Sequence, residues 1–241
     1  MPIETIEPRR LYRQVADHLK ELIDRGEFKV GERLPTEREL SDKLGISRPT
    51  VREALIALEV EKRVRIRVGS GIYVTEPPEA SSHLPPLSVP VEGPFELLRA
   101  RAFIEGAIAA EAATHAGGFD IETMDSLLDA MERASGASNA EIIALDRQFH
   151  QAIAATVGNA VILRFVGDLF DQRINPYFQR LSRYFETPDT WRAAIGEHRA
   201  IRDAIVARDP QQAREAMQHH LQQSQSRFSA SFEEEQVPSG A

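Results

Sequence analysis

At 241 residues the chain has room for one large or two modest domains, each able to bury a core. It has no cysteine, which excludes disulfides and thiol nucleophiles, and neither a signal-like start nor an apolar run near the ~18 residues of a membrane span, so a soluble cytoplasmic protein with no membrane partner is expected. The net charge of −8 hides an asymmetry, with 15 Lys+Arg against 13 Asp+Glu in residues 1–75 and 14 against 24 in residues 76–241, which points to one nucleic-acid-facing domain and one that is not.

Leu11, Val15, Leu19, Leu22 and Ile23 form the apolar stripe of a first helix. Gly31 and Pro35 break the chain. Thr36 with Glu39 then makes a capping box for a second helix, which turns Leu40 and Leu44 inward. Gly45 supplies the left-handed stop, and Ser47 caps a third helix that tolerates Pro49 in its first turn. Val51, Leu55 and Leu58 pin that helix to the core and leave Arg48, Thr50 and Arg52 near its exposed N-terminal end. Arg38, on the preceding helix, can reach the same surface. A recognition helix presents this end to the major groove, where an arginine fork bonds both guanine acceptors and the helix N-terminus favours phosphate. Arg65 and Arg67 alternate with Ile66 and Val68 along a hairpin tipped by Gly69-Ser70-Gly71. Residues 1–75 therefore read as a winged helix-turn-helix, α+β with a small hairpin wing, that binds double-stranded operator DNA.

Five prolines between Glu76 and Gly93 exclude a helix or central strand, so residues 76–93 read as a linker. Residues 94–232 then carry helical patterns near 94–116, 120–134, 139–157, 159–185, 188–208 and 210–232, without strand signals. An all-α antiparallel bundle is expected there, with a disordered tail over 233–241.

Three of the seven histidines sit on apolar faces of this bundle. Asp146 and His150 stand four apart on one helix face with Ile153 and Val157. His198 shares a stripe with Trp191, Ile195 and Ile205, and His220 shares one with Ala213, Met217 and Ser224. His198 and His220 both lie roughly 16 Å from the turn at Asp209-Pro210, at ~1.5 Å per residue. Antiparallel helices would bring the two imidazoles level. A carboxylate and three imidazoles facing one interior suit a divalent ion, zinc foremost, with nickel or manganese as other choices. The plain alternative is a metal-free bundle whose histidines are hydrogen-bonded core residues. A metal-dependent hydrolase is a third reading, weakened by the absence of a separate acid/base motif such as HExxH. Arg101 shares a face with Ile104 and Ile108 and points inward, where it needs either Glu105 or a ligand carboxylate. Arg173 and Asn175 are further pocket candidates.

The segment LPTERELSDKLGISRPTVREAL resembles the N-terminal domain of GntR-type bacterial transcription regulators, over about residues 9–75. The resemblance implies that Arg38, Arg48, Thr50, Arg52 and Gly69 touch DNA, with Ser47 at the head of the reading helix. Lys62 departs from the pattern, standing where the family usually has glycine. Residues 94–232 resemble the FCD-type effector domain of FadR-like members, through R-x3-E at Arg101–Glu105, D-x2-FH at Asp146–His150, EH at Glu197–His198 and AM-x2-HL at Ala216–Leu221. This implies that Asp146, His150, His198 and His220 hold an ion and that Arg101 contacts an effector carboxylate beside it. His219 falls outside the motif and is expected at the surface. Within the family, RRLYRQVADHLKELIDRG, VREALIALEVE, GSGIYV and the Arg101 helix resemble hexuronate-utilisation regulators of the ExuR and UxuR type. The function so implied is a homodimeric repressor on a palindromic operator, not an enzyme, released by a small carboxylate such as a hexuronate. Sensing of lactate, pyruvate or citrate-type acids stays open.

Overall fold

The computed structural model describes residues 10–67, 70–76, 93–134, 139–173, 182 and 186–230. The chain divides into two compact units, one within Met1–Gly93 and one within Pro94–Ser231.

The first unit opens with α1 (Leu11–Asp24), which buries Tyr12, Val15, Ala16, Leu19 and Ile23. Leu11, expected on the inward stripe, is 51% exposed. Tyr12 takes its place because 12, 15, 16, 19 and 23 share one face, and Leu11 is a 100° step off it. α2 (Glu37–Leu44) begins with the capping box: Thr36 N–H donates to Glu39 Oε2 at 2.8 Å, and Glu39 N–H donates to Thr36 Oγ1 at 3.3 Å. Gly45 closes it in the left-handed region at φ 65°. α3 (Arg48–Val60) starts at the Ser47 cap and buries Val51, Leu55 and Leu58 completely. The wing is an antiparallel pair, β1 (Val64–Arg67) and β2 (Gly71–Val74), with Val64 opposite Val74 and Arg67 opposite Gly71. Val64, Ile66, Ile72 and Val74 face the core, while Arg65 and Arg67 face outward.

The second unit contains α4 (Pro94–His115), α5 (Gly118–Arg133), α6 (Asn139–Ala155), α7 (Ala160–Asp171), α8 (Pro188–Val206) and α9 (Pro210–Ala230), and no strand among the described residues. α4 packs chiefly on α9, α9 on α8, and α6 on α5 and α7. Small side chains set the α4–α9 spacing. Ala109, Ala112, Ala113 and Ala213 are fully buried, and a Cβ on Gly106 would come within 2.9 Å of Gln218 Cγ. The helix expected over 159–185 is broken after Asp171, and residues 174–181 and 183–185 of that range lie outside the described residues. Arg173 N–H turns back to Phe170 O at 2.9 Å, a tightened last turn that ends the α-helical ladder. No helix among the described residues is long and apolar enough to cross a membrane.

Candidate metal centre and DNA-reading surface

α6, α8 and α9 bring Asp146, His150, His198 and His220 together, all buried, with one donor atom from each lying within 4.8 Å of the others. His198 Nε2 is 3.1 Å from Asp146 Oδ1 and 3.2 Å from His220 Nε2, and His150 Nε2 is 3.5 Å from Asp146 Oδ1. The level placement of His198 and His220 follows from an α8–α9 hairpin with equal arms on either side of Asp209.

Carboxylates behind two of the rings fix which nitrogens carry protons. His150 Nδ1 lies 2.5 Å from Glu105 Oε2, and His220 Nδ1 lies 2.9 Å from Glu197 Oε2. His220 Nδ1–H donates outward to Glu197, which turns its Nε2 lone pair into the cluster, while His150 Nδ1 faces Glu105 as an ion pair. Asp146 Oδ1 and His150 Nε2 are buried with no hydrogen-bond partner among the described residues. Buried polar atoms are almost always satisfied. Bare acceptors converging from an aspartate and imidazoles meet that rule if a cation sits among them, so the donor set fits a divalent ion.

The protonation preferences of His198 and His220 agree. Burial lowers His198 below the ordinary imidazole value and lowers His220 further, with His198 and His150 crowding it. Both rings are thereby held neutral. Burial also opposes charge on His150, but the Glu105 charge and the contacts to Asp146 and Glu105 outweigh it and raise its pKa. Asp146 is held well below the carboxylate range: burial works against its charge, and contacts with His150 and His198 win. Glu105 falls to about 2, the burial penalty being overcome by Arg101 and His150.

Arg101 is 1% exposed and donates to Glu105, Nε to Oε1 at 2.5 Å and Nη2 to Oε2 at 3.4 Å, and its guanidinium lies 4.6 Å from the Phe170 ring centroid. The inward arginine thus meets Glu105, one of the two partners open to it in the sequence. Arg173 enters the same site from the end of α7, with Nη1 donating to Asp146 Oδ2 at 2.8 Å. Asn175 lies outside the described residues. A cavity of about 40 Å³ opens beside the cluster, lined by Arg101, Asp146, Arg173 and His220 together with Glu186, Trp191 and Arg227. By volume it holds a few waters. Trp191 Nε1 is a buried donor without a partner among the described residues. His219 is exposed. The orienting roles of Glu105 and Glu197 were not assigned from the sequence, although both lie in motifs read there. A carboxylate within hydrogen-bonding reach of each ring's far nitrogen is the signal, and it appears only in three dimensions.

On the first unit, Arg38, Ser47 and Arg48 are exposed and Thr50 is half-buried. Ser47 Oγ receives the Thr50 N–H at 3.4 Å and pairs with Thr50 Oγ1 at 2.8 Å, so both are tied to the head of α3. Arg52 departs from the exposed position expected of it. It is 1% exposed, and its fork grips Glu37, Nε to Oε1 at 2.8 Å and Nη2 to Oε2 at 2.6 Å. One step of 100° beyond Val51 turns it toward α2, where Glu37 supplies the counter-charge. Gly69 lies outside the described residues.

A family model described as bacterial regulatory proteins, gntR family, matches residues 11–74, and one described as FCD domain matches residues 96–223. The chain is 38% identical over 215 residues to the Uxu operon regulator of Haemophilus influenzae, covering 88% of this chain and 80% of that protein. It is 39% identical over 225 residues to the Exu regulon transcriptional regulator of Escherichia coli, covering 91% and 85%. Among solved structures, E. coli McbR/YncC shares the fold at TM-score 0.51 and 23% identity, over 93% of this chain and all of that one.

Proposed function

The chain belongs to the GntR family of bacterial regulatory proteins, with an FCD domain behind its winged helix, and we propose that this member is a homodimeric, metal-dependent repressor of sugar-acid genes, released by a hexuronate-type carboxylate and acting in the cytoplasm. Its domains and relatives are those of DNA-binding transcription regulators rather than enzymes, which sets the hydrolase reading aside. The observation that carries the proposal is the buried convergence of Asp146 Oδ1 with imidazole nitrogens beside a cavity lined by Arg101 and Arg173. The Uxu and Exu names of the relatives support the choice of hexuronate genes.

Asp146, His150, His198 and His220 would hold the ion, zinc foremost, and the chemistry it supplies is a Lewis-acidic position for a carboxylate oxygen. Arg101 is already pre-formed for a carboxylate, since its fork binds one in Glu105. An entering acid competes for that fork, and Arg173 stands beside it on Asp146. On the first unit, Arg38, Ser47, Arg48 and Thr50 form the surface that meets the major groove of each half-site, with half-sites about one helical turn apart. Effector and operator then oppose one another by equal coupling free energies. Fluorescence anisotropy of palindromic promoter DNA from the gene's own surroundings tests this. Zinc-loaded protein should bind and then release on addition of D-glucuronate or D-galacturonate. Chelated protein should bind and not release. Failure to bind any such DNA at low salt defeats the proposal.

A further inference from the structure

Phe103 stands on the outward side of α4 and is 80% exposed. A lone exposed phenylalanine is ordinary, but its neighbours along the helix follow an order. Arg99, Phe103, Ala107 and Glu111 are each four residues apart and all exposed, so they form one ridge about 18 Å long. The ridge runs cation, aromatic ring, small side chain, anion. The opposite side of the helix, with Leu97, Leu98, Arg101, Glu105, Ile108 and Ala112, is what holds α4 to the rest of the unit. On α7, which packs beside α4, Val161 is 63% and Phe165 46% exposed, so the exposed apolar area is not confined to one side chain. By contrast α9, the chief neighbour of α4, turns Gln211, Arg214, Glu215 and His219 to solvent.

Such a ridge is complementary to itself when inverted. A second copy of α4 is laid antiparallel, with a two-fold axis midway between Phe103 and Ala107. Each Phe103 ring then lies over the Ala107 of the other copy, and each Arg99 stands opposite the other copy's Glu111. A parallel pairing would instead set Arg99 against Arg99 and Phe103 against Phe103, repulsive at both ends and crowded in the middle. Glu111 also lies 3.5 Å from His115 Nδ1 of its own helix, but both side chains are 56% exposed and a carboxylate accepts from more than one donor.

We propose that the ridge from Arg99 to Glu111 is the seam on which two copies of this chain dimerise, α4 antiparallel to α4 about a two-fold axis. This rests on the homodimer reading and names its surface.

Arg99→Glu and Glu111→Arg are each made in the full-length chain. Both positions are exposed and neither reversal opposes the dipole of α4, so the folded unit is kept, as circular dichroism checks. Sedimentation velocity should show wild type as a dimer and each variant dissociating at least ~10-fold more readily, because each variant dimer holds two like-charge contacts. Mixing the two variants should restore association, since one protomer then offers two acidic ends and the other two basic ends. Native mass spectrometry of the mixture should find heterodimers well above the half that random exchange gives. Ala107→Glu keeps both charged ends but sets a carboxylate against the negative face of the Phe103 ring, and it should loosen the dimer by a similar factor. Charge variants that dimerise as tightly as wild type, with heterodimers at the random share, overturn the seam and leave the homodimer reading standing. Weakened variants that mixing does not rescue overturn it too, because the two charges are then not reciprocal partners, and so does a dimer indifferent to Ala107→Glu. Wild type that stays monomeric overturns the homodimer reading, and the proposal falls with it.

Discussion

Replacing Arg52 with glutamine separates a buried structural arginine from a DNA-contacting one. The substitution removes the guanidinium that neutralises Glu37 and leaves a carboxylate that is 7% exposed. Breaking a buried pair from one side costs about 3–5 kcal/mol. Glu37 sits in the first turn of α2, where the helix dipole offsets up to ~1 kcal/mol of that charge, so a loss of about 3 kcal/mol is expected. Amide exchange of the α3 interior in the full-length chain reads this local unfolding free energy directly. Adding Glu37→Gln should recover at least ~1 kcal/mol, because it removes the stranded charge. Operator affinity should fall and recover with the folded fraction of the first unit. Exchange within ~0.5 kcal/mol of wild type, together with a roughly 5–150-fold loss of operator affinity, would refute this reasoning and make Arg52 a base contact.

Glu197→Gln weakens the carboxylate behind His220 Nδ1, and zinc affinity measured by competition with a chelator should drop ~10–100-fold; an unchanged affinity would leave Glu197 with no orienting role. Lys62 is held at φ 57°, so Lys62→Gly should raise urea stability of the first unit by roughly 0.5 kcal/mol net of the unfolded-state entropy gained, whereas a drop would show the backbone is not strained there. The Glu105 charge, against the burial that opposes it, raises His150 above the ordinary imidazole value while burial lowers His198 and His220, so His150 is the most readily protonated ring of the ion-free site. Zinc binding should therefore release protons, and more of them as the pH falls toward the ordinary imidazole value, which calorimetry in buffers of different ionisation enthalpy measures; no release at any pH contradicts the assignment.

What was legible in the sequence is what local spacing encodes. The Thr36–Glu39 box, the Gly45 stop and the Ser47 cap are contacts within a few residues, and each is where the pattern put it. Asp146 and His150 are one helical turn apart, and His198 with His220 needed only a hairpin with equal arms. Partners distant in sequence were harder to read. The direction of Arg52 depends on Glu37, 15 residues earlier on another helix, and apolar periodicity carries no information about a buried charge pair. Glu105 is one of the two partners open to Arg101 in the sequence, yet it also meets His150 from α4 across to α6, which no spacing within one helix reveals. The apolar pattern after Asn159 continues past Asp171, but the chain turns there, and that turn is what brings Arg173 to Asp146.

The most direct test of the central claim is the metal content of protein purified without chelator, comparing wild type with His198→Ala. Close to one divalent ion per chain in wild type is expected, with a marked loss in the variant, loss of release by hexuronate and retention of operator binding. Wild-type protein holding below ~0.2 ion per chain, even after zinc is supplied, would contradict the account and leave Asp146, His150, His198 and His220 as a hydrogen-bonded core.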